Sequence, residues 1–270
     1  MTTLAYDAVI DPKRRLEIET KIAGIEEGNQ VKVLFAIESG SRAWGFPSPD
    51  SDYDVRFVYA HKPDSYLSIF DRRDVIELPI EGDLDINGWD IRKALSLLLK
   101  PNPVLLEWLS SPIKYKWDDG ACKSLVDFAN EVVAPRECIP HYYHLARRQW
   151  LRNIEGETSV NLKKYFYVLR PALAIRWARV NPGTLPPMNF QQLVAGVGIE
   201  GALQSKISEL LRAKAKASEV GTGRRIAALD DLIEFELSWG ADNSGNKHVV
   251  SPAERIKADA LFRKLVRWPA

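Results

Sequence analysis

Residues 31–59, VKVLFAIESGSRAWGFPSPDSDYDVRFVY, decide the fold that we predict for this chain. The stretch opens with an apolar, β-branched run over residues 31–37, which predicts a buried strand. Gly40 and Ser41 interrupt the run, and a turn rich in proline and serine follows them. A second apolar run starts at Asp54. The stretch therefore predicts two strands joined by a short helix and a turn.

Two acidic residues mark the start of the second strand. Because side chains alternate between the faces of a strand, Asp52 and Asp54 are expected on one face and Tyr53 on the other. Adjacent carboxylates repel each other unless a positive charge lies between them, and hard divalent cations favour such oxygen ligands. Gly40 and Ser41, opening a short helix, would present backbone N–H groups suited to a phosphate. This combination predicts metal-assisted phosphoryl or nucleotidyl transfer.

The same residues carry a family resemblance. Gly40-Ser41, ten residues, and then Asp52-x-Asp54 resembles the motif of the DNA polymerase β-like nucleotidyltransferase superfamily. GSRAWGF at residues 40–46 resembles its bacterial and phage branch related to YcgL and RlaP. NGWDIRKAL at residues 87–95 and LEWLSSP at residues 106–112 resemble the same branch. The resemblance covers most of the chain and is weaker after residue 167.

The resemblance implies three acidic residues that hold Mg²⁺ or Mn²⁺, the third also acting as general base toward the attacking hydroxyl. Asp52 and Asp54 match the first two. For the third, Asp85 lies between apolar neighbours, as expected on a strand with one buried face. Asp90 is the main alternative and Asp83 a lesser one, but Asp90 falls in the first turn of a predicted helix, which an acid stabilises. We therefore assign Asp85 to catalysis and metal binding, and keep Asp90 as the alternative.

The resemblance also implies a binding site for an NTP. Arg42 directly follows the turn at Gly40 and Ser41 and is a candidate for a bidentate phosphate contact. A helix predicted over residues 161–180 resembles the element that contacts the triphosphate in the superfamily. The candidate nucleotide-binding residues of this helix are Lys163, Lys164, Tyr167 and Arg170. A solvated helix face is the alternative explanation for their charges.

The composition predicts a globular protein with room for two domains. The chain has 270 residues, of which 46% are hydrophobic. Residues 1–118 hold 15 Lys and Arg against 20 Asp and Glu, a net charge of −5, and residues 119–270 hold 22 against 16, a net charge of +6. A metal-binding half and a phosphate-facing half would show this division, and so would ordinary charge scatter.

Cysteine content and hydropathy bear on location. Cys122 and Cys138 are too few for a disulfide framework, which favours a reducing compartment. The sequence shows no signal peptide and no apolar run of transmembrane length. We therefore expect a cytoplasmic protein that does not contact the membrane. The sequence makes no prediction about its oligomeric state.

The predicted fold is α+β. Residues 1–118 are expected to form a nucleotidyltransferase domain with a small mixed sheet and flanking helices, and residues 119–270 an all-helical domain. Two further strands are predicted at residues 74–78 and 83–87, the second ending at Gly88. Residues 112–119 are interpreted as a connector between the domains, and no strand is predicted beyond it.

The predicted function is transfer of a nucleoside monophosphate from an NTP to a hydroxyl, with release of pyrophosphate. The acceptor is left open among an RNA end, a protein side chain and a small molecule. The competing hypothesis is a non-catalytic protein that binds nucleotide, RNA or a protein partner on the same fold. The presence of both Asp52 and Asp54 favours the enzyme.

Overall fold

The computed structural model describes residues 9–216, 221–245 and 248–268, which fall into two compact units. The sheet unit comprises residues 9–43, 52–133 and 248–268. The helical unit comprises residues 44–51, 134–216 and 221–245. Neither unit is continuous in sequence, because residues 44–51 pack with later helices and residues 248–268 return to the sheet unit.

A mixed sheet organises the sheet unit. The strands of the described chain are β1 Val31–Glu38, β2 Tyr53–His61, β3 Val75–Glu77, β4 Leu84–Asp90, β5 Lys114–Trp117, β6 Ser159–Asn161 and β7 Thr222–Arg224. The first five form one sheet in the order β3-β4-β2-β1-β5. β2 and β4 run parallel, whereas the other neighbouring strands run antiparallel. The predicted α+β class is confirmed.

Helices account for most of the remaining regular structure. They are α1 Pro12–Asn29, α2 Gly40–Trp44, α3 Ile91–Leu98, α4 Pro103–Leu109, α5 Asp119–Val132, α6 Ile139–Asn153, α7 Lys164–Val180, α8 Phe190–Gly196, α9 Gly201–Lys216, α10 Ala227–Asn243 and α11 Pro252–Leu265. Several begin after a side chain that accepts backbone N–H bonds of the first turn, as Asp11, Asp90 and Asp118 do. Among the described residues, no helix combines the length and apolar character needed to span a bilayer.

The two faces of β2 separate the core of the sheet unit from its polar residues. The core on one face includes Ile18, Ile22 and Ile25 of α1 and Val55, Phe57 and Tyr59 of β2. Asp54 and Arg56 alternate with these strand residues and are half-buried on the opposite face. The apolar alternation therefore positions the polar side chains of the strand.

β5 lies where the sequence analysis placed only a connector, so that interpretation is wrong for residues 114–117. β5 pairs antiparallel with β1, with Phe35 opposite Trp117 and Ala36 opposite Lys116. Four residues are too few to show a reliable period, and the flanking proline and aspartates are typical of turns. The pairing with a buried strand creates β5.

β4 also continues to Asp90 instead of ending at Gly88. Gly88 lies directly opposite Phe57 in the parallel pairing. A Cβ atom on Gly88 would lie 2.3 Å from the Phe57 ring. This glycine therefore allows a ring of the neighbouring strand to approach the backbone, and it does not end the strand.

The helical unit contains one small sheet among its helices. β6 and β7 pair antiparallel, with Val160 opposite Gly223. The expectation that no strand lies beyond residue 119 is therefore wrong, because three-residue strands from distant segments leave no local period in the sequence. The core of the unit brings residues 44–51 together with α7 and α8. The centroid of the Phe46 ring lies 5.1 Å from that of Phe166 and 5.6 Å from that of Phe190.

The functional division into residues 1–118 and 119–270 stays a prediction. Compact units describe packing, and they follow different boundaries from the predicted domains. α5 and α11 lie beyond residue 118 but belong to the sheet unit. Residues 44–51 lie before residue 118 but belong to the helical unit. Local sequence could not reveal these exchanges, because each depends on long-range packing.

Candidate active site

Gly40 brings the turn after β1 against the carboxylate of Asp54. Gly40 has a φ of +59°, a conformation that side-chain-bearing residues rarely adopt. A Cβ atom at this position would lie 1.9 Å from Asp54 Oδ2. The backbone supports the same approach, because the Ser39 N–H donates to the Asp54 carbonyl oxygen at 2.7 Å. Gly40 is thus needed for the placement of a carboxylate, and its phosphate contact stays a prediction.

Asp54 and Asp85 lie directly opposite each other on the parallel strands β2 and β4. The Arg56 guanidinium bridges them, with Nη2 at 3.2 Å from Asp54 Oδ1 and 2.7 Å from Asp85 Oδ2. Arg56 Nη1 also donates to the carbonyl oxygens of Val55 at 2.9 Å and Asp85 at 3.1 Å. Arg56 therefore offsets part of the negative charge of two carboxylates that would otherwise repel each other.

Asp52 and Arg42 lie at the same end of β2. Asp52 is exposed and immediately precedes the strand. Arg42 Nε donates to the Asp52 carbonyl oxygen at 3.2 Å, and its guanidinium lies 3.9 Å from the centroid of the Tyr53 ring. The sheet unit thus gathers the predicted acids and Arg42 around the start of β2.

The electrostatics of Asp54 favour additional positive charge. Burial is the largest cause that raises the pKa of Asp54, and the charges of Asp85 and Asp52 raise it further. Arg56 and Arg42 act in the opposite direction. A carboxylate that is disfavoured in its charged form gains from any cation that can approach it.

The two alternatives to Asp85 have partners elsewhere. Asp90 is 5% exposed, accepts a backbone N–H of the first turn of α3 at 2.7 Å and accepts the Tyr66 hydroxyl at 2.9 Å. Burial, more than these bonds, governs its raised pKa. Asp83 accepts a bond from Arg14 Nη2 at 2.7 Å. This geometry favours Asp85 as the third acid, and its catalytic role stays a prediction.

Glu38 is a site residue to which the sequence analysis gave no role. It is fully buried, and its carboxylate accepts the backbone N–H of Asp54 at 2.9 Å and the Tyr115 hydroxyl at 2.6 Å. Burial raises the pKa of Glu38 to about 7, although both hydrogen bonds act to lower it. The sequence did contain a signal for Glu38, because an acidic residue at the end of an apolar strand is unusual enough to suggest a role. Its partner Tyr115 lies on β5, which local sequence did not predict.

The oxygen donors around Asp54 have the chemistry that Mg²⁺ or Mn²⁺ requires. Within residues 9–216, 221–245 and 248–268, no group of three or more His, Cys, Asp or Glu side chains is arranged to hold a metal ion. Arg56 occupies the position between Asp54 and Asp85 that such a group would leave to the ion. The donor set fits a hard cation, and an ion shared by these two acids would displace Arg56.

The predicted residues of α7 and its start lie in the helical unit. Lys163 Nζ lies 3.4 Å from both carboxylate oxygens of Asp50. Lys164 is exposed, with Nζ 5.5 Å from the centroid of the Tyr167 ring. The structure therefore brings these three predicted residues together around one turn of helix, and their contact with nucleotide stays a prediction.

Arg170 is buried, unlike the residues of a solvated helix face. It is 4% exposed, and its Nε donates to the Met188 carbonyl oxygen at 3.2 Å. Its guanidinium lies 4.8 Å from the centroid of the Trp44 ring. These contacts favour a packing role for Arg170 within the helical unit, and its role in nucleotide binding stays a prediction.

Lys214 is a buried cation that the sequence analysis did not identify. It is 2% exposed, and its Nζ donates to the Phe46 carbonyl oxygen at 2.6 Å. Burial, followed by the charge of Lys163, lowers the pKa of Lys214 to about 8, while Asp50 opposes this change. Its sequence context, AKAK near a helix end, is typical of a solvated face. Local sequence therefore held no signal for it.

Comparison with known proteins identifies the family. Residues 15–264 match RlaP, described as the RNA repair pathway DNA polymerase beta family. A relative, the "Uncharacterized protein YcgL" of Bacillus subtilis (strain 168), is 42% identical over 247 residues, which cover 92% of this chain and 90% of that protein.

A solved structure of a nucleotidyltransferase-like protein from Exiguobacterium sibiricum 255-15 is a looser match. It has 10% identity and a TM-score of 0.30, over 92% of this chain and 75% of the other. The family match spans most of the sequence and confirms the resemblance seen in GSRAWGF. The chain therefore belongs to the RlaP family, the RNA repair pathway DNA polymerase beta family.

Proposed function

We propose that this protein is a metal-dependent nucleotidyltransferase that moves a nucleoside monophosphate from an NTP to a hydroxyl and releases pyrophosphate. The observation that carries the proposal is the pairing of Asp54 with Asp85 beside the turn at Gly40. Paired carboxylates next to a glycine turn suit a reaction in which a cation must meet a phosphate. Membership of the RlaP family supports the same class of reaction.

In the proposed reaction, the acceptor oxygen forms a bond to the α-phosphorus while the bond from that phosphorus to the pyrophosphate oxygen breaks. Pyrophosphate leaves with the electron pair of the broken bond. The acceptor hydroxyl gives up its proton, and we assign Asp85 as the base that receives it. In the ion-free protein Asp85 lies directly opposite Asp54 and accepts a hydrogen bond from Arg56.

The acids proposed as ligands of Mg²⁺ or Mn²⁺ are Asp52, Asp54 and Asp85. When bound, such an ion neutralises charge on the triphosphate and lowers the pKa of the acceptor hydroxyl. The chain itself prepares the ligands: Gly40 leaves room for the Asp54 carboxylate, and Glu38 fixes the Asp54 backbone. Arg56 limits the repulsion between the carboxylates in the ion-free protein.

The NTP would be held by several contacts to its phosphates. The proposed nucleotide-binding residues are Gly40, Ser41, Arg42, Lys163, Lys164, Tyr167 and Arg170. Arg42 is supported by its fixed position next to Asp52. The assignment of Lys163 and Lys164 is supported by their positive charge. Both lie on one turn of helix, and Asp50 offsets only the charge of Lys163. Arg170 has the weakest support, because it is buried and bonded to a carbonyl oxygen.

An RNA end is the acceptor that we propose, because the family description names RNA repair. A protein side chain and a small molecule are the alternative acceptors. With an RNA acceptor the protein would act in the cytoplasm, the location expected from the two cysteines.

A non-catalytic binding function is the second candidate, and Arg56 is the observation in its favour. The guanidinium of Arg56 already forms ion pairs with Asp54 and Asp85, so the acidic pair has a structural explanation without any metal ion. A protein of this kind would bind nucleotide or RNA and transfer nothing.

Incubation with labelled nucleotides separates the two candidates. The protein is incubated with each α-labelled NTP, Mg²⁺ or Mn²⁺, and as acceptor an RNA with a free 3′ hydroxyl, the protein alone or a cell lysate. Label on the RNA that disappears with Asp54→Asn and persists with the exposed control Asp64→Asn supports the proposal. Binding of NTP or RNA by the wild-type protein with no label on any acceptor would establish the non-catalytic function instead.

A further inference from the structure

The helix α6 of the helical unit has one buried face and one exposed basic face. Tyr142, Ala146 and Trp150 belong to the buried face. Two helical turns on the opposite side are exposed, and this basic face consists of His144, Arg147, Arg148, Leu151 and Arg152. Residues 138–154 contain no aspartate and no glutamate, so no acid within the helix offsets the three arginines.

The three arginines also lack acidic partners from other segments. The side chains of Arg148 and Arg152 form neither an ion pair nor a hydrogen bond with any residue in the ranges that the structure describes. Arg147 Nη1 donates to the Tyr143 hydroxyl at 3.5 Å, which is a long bond to a neutral acceptor. The basic face of α6 therefore presents three positive charges to solvent.

Other arginines of the helical unit are paired with acids. Arg176 and Arg179 of α7 contact the buried Glu236 carboxylate at 3.2 Å and 2.7 Å. Arg225 contacts the Asp230 carboxylate at 2.9 Å. The unit thus compensates these arginines internally, whereas it leaves the arginines of α6 available to a partner.

The arrangement on α6 is unfavourable in the absence of an anion. Arg148 and Arg152 lie four residues apart, and like charges at this spacing destabilise a helix. Arg152 lies in the last turn of α6, where positive charge is favourable. Arg147 and Arg148 precede that turn and do not share this benefit. A bound polyanion would relieve the repulsion between the guanidinium groups.

The spread of the charges favours a partner with several phosphates. The backbone positions of Arg147 and Arg152 are separated by roughly 8 Å along the helix axis. A nucleic-acid strand offers one phosphate per nucleotide, and guanidinium groups bind phosphate oxygens in bidentate geometry. Leu151 lies between the arginines, is 49% exposed and offers apolar surface to a sugar or a base.

We propose that the basic face of α6 binds the phosphate backbone of RNA, with Arg147, Arg148 and Arg152 as its phosphate contacts. The choice of RNA among polyanions rests on the proposed function, in which an RNA end is the acceptor. The contact itself requires neither a metal ion nor an NTP, so it can be measured without any nucleotidyl transfer.

The test is the anisotropy of a fluorescently labelled single-stranded RNA, titrated with the full chain in EDTA at several KCl concentrations. For single strands, each neutralised phosphate contributes about 0.7 to the slope of the logarithm of the association constant against the logarithm of salt concentration. The triple variant Arg147→Gln, Arg148→Gln, Arg152→Gln should therefore reduce the magnitude of the slope by about 2. It should also weaken RNA binding about tenfold or more at low salt.

A second triple variant separates the place of the charges from their number. Arg212→Gln, Arg255→Gln, Arg263→Gln removes three exposed arginines from α9 and α11, which gives the same net charge. It should bind RNA with the wild-type slope. The melting temperatures of both triple variants should match that of the wild-type protein. If the α6 triple variant does not fold, Arg148→Gln alone should reduce the slope by about 0.7.

The proposal is overturned if the wild-type protein does not bind RNA, if the α6 triple variant keeps the wild-type slope, or if both triple variants weaken binding equally. Polyglutamate that binds as tightly as RNA would overturn RNA as the partner. The labelled-NTP assay tests the proposed function separately. Absence of transfer together with the reduced slope would refute the transferase alone, whereas transfer by the α6 triple variant with the wild-type KM for RNA would refute this site alone.

Discussion

The sheet unit holds half-buried charges and the helical unit holds a buried one, and the two units compensate these charges in opposite ways. In the sheet unit, Asp54 and Asp85 surround the guanidinium of Arg56, so the acids outnumber the cation. In the helical unit, Lys214 is enclosed by aromatic rings and bonded to a carbonyl oxygen, and Asp50 is the acid near Lys163. One cluster favours an added cation and the other an added anion.

This difference gives physical content to the charge division of the sequence, a net charge of −5 over residues 1–118 and +6 over residues 119–270. Net charge alone is compatible with ordinary scatter. The structure shows that part of the excess is concentrated at partly buried positions, where water screens charge less than at the surface. Such charges act on ligands as well as on stability, and the following substitutions separate these two effects.

Asp54→Asn should have the largest effect, because it removes a charged oxygen from the centre of the acidic cluster. We expect nucleotidyl transfer to fall roughly hundredfold or more, since metal-ligand contacts supply several kcal/mol of transition-state stabilisation. Burial raises the pKa of Asp54, so the substitution also removes a disfavoured charge and should leave the melting temperature unchanged or higher. Full activity at an unchanged melting temperature would remove Asp54 from the catalytic set.

The double substitution Lys163→Met, Lys164→Met tests the basic cluster. Methionine keeps the apolar stem and removes the ammonium, so packing should change little. We expect the Kd or KM for NTP to rise about tenfold to hundredfold, as charge-assisted contacts to phosphate are lost. Lys216→Met, at an exposed lysine at the end of α9, is the matched control. Equal NTP affinity in all three proteins would make the two lysines part of a solvated face.

Glu38→Gln should alter the dependence of stability on pH. The folded protein holds a proton on Glu38 up to about pH 7, whereas the unfolded chain releases it near pH 4.5. Stability from this group is therefore fully present below pH 4.5 and is lost as the pH rises through 7. Glutamine keeps an acceptor for the Asp54 N–H and should abolish that loss, making the variant more stable at pH 8 by no more than about 3 kcal/mol.

The measurement for Glu38 is the free energy of unfolding of both proteins between pH 4 and pH 9. A parallel decline in the wild-type protein and in Glu38→Gln would show that other groups cause the decline. A variant that is less stable than the wild-type protein at pH 8 would show that the carboxylate form makes the more favourable contacts.

Lys214→Met tests the opposite case, a buried base whose pKa is lowered, and its expected effect on stability is smaller. Burial lowers the pKa of Lys214 from 10.5 to about 8, so its stabilising contribution is present above pH 10.5 and is lost as the pH falls through 8. Methionine removes this loss but also removes the bond to the Phe46 carbonyl oxygen. We expect the free energy of unfolding to change by about 1–2 kcal/mol at pH 7. Its dependence on pH, measured by denaturant titrations, should be flatter between pH 8 and pH 10. An unchanged slope would contradict the depressed pKa.

The parts of the molecule that the sequence predicted depend on local periods. The apolar alternation around Asp54 placed it on one face of a strand, and the apolar neighbours of Asp85 did the same on β4. The register of these strands then sets the two carboxylates side by side. The capping role considered for Asp90 followed from its position before a helical run, and the structure contains that cap.

The parts that the sequence did not predict depend on contacts between distant segments. β5 has four residues and is defined by its pairing with β1, so neither Tyr115 nor its bond to Glu38 could be anticipated. Lys214 resembles a surface lysine in sequence and becomes buried because residues 44–51 pack in the helical unit. Short strands and buried charges carry no period, and only the assembled core defines them.

The most direct test of the acidic cluster compares Asp85→Asn with Asp90→Asn in the labelled-NTP assay at saturating Mg²⁺. Both changes are isosteric, and asparagine caps a helix nearly as well as aspartate, so Asp90→Asn should remain folded. We expect Asp85→Asn to lose transfer by roughly hundredfold or more, as removal of a general base typically does, and Asp90→Asn to stay within a few-fold of the wild-type rate. Wild-type activity in Asp85→Asn, or loss of transfer in a folded Asp90→Asn, would contradict the assignment of Asp54 and Asp85 as the reaction centre.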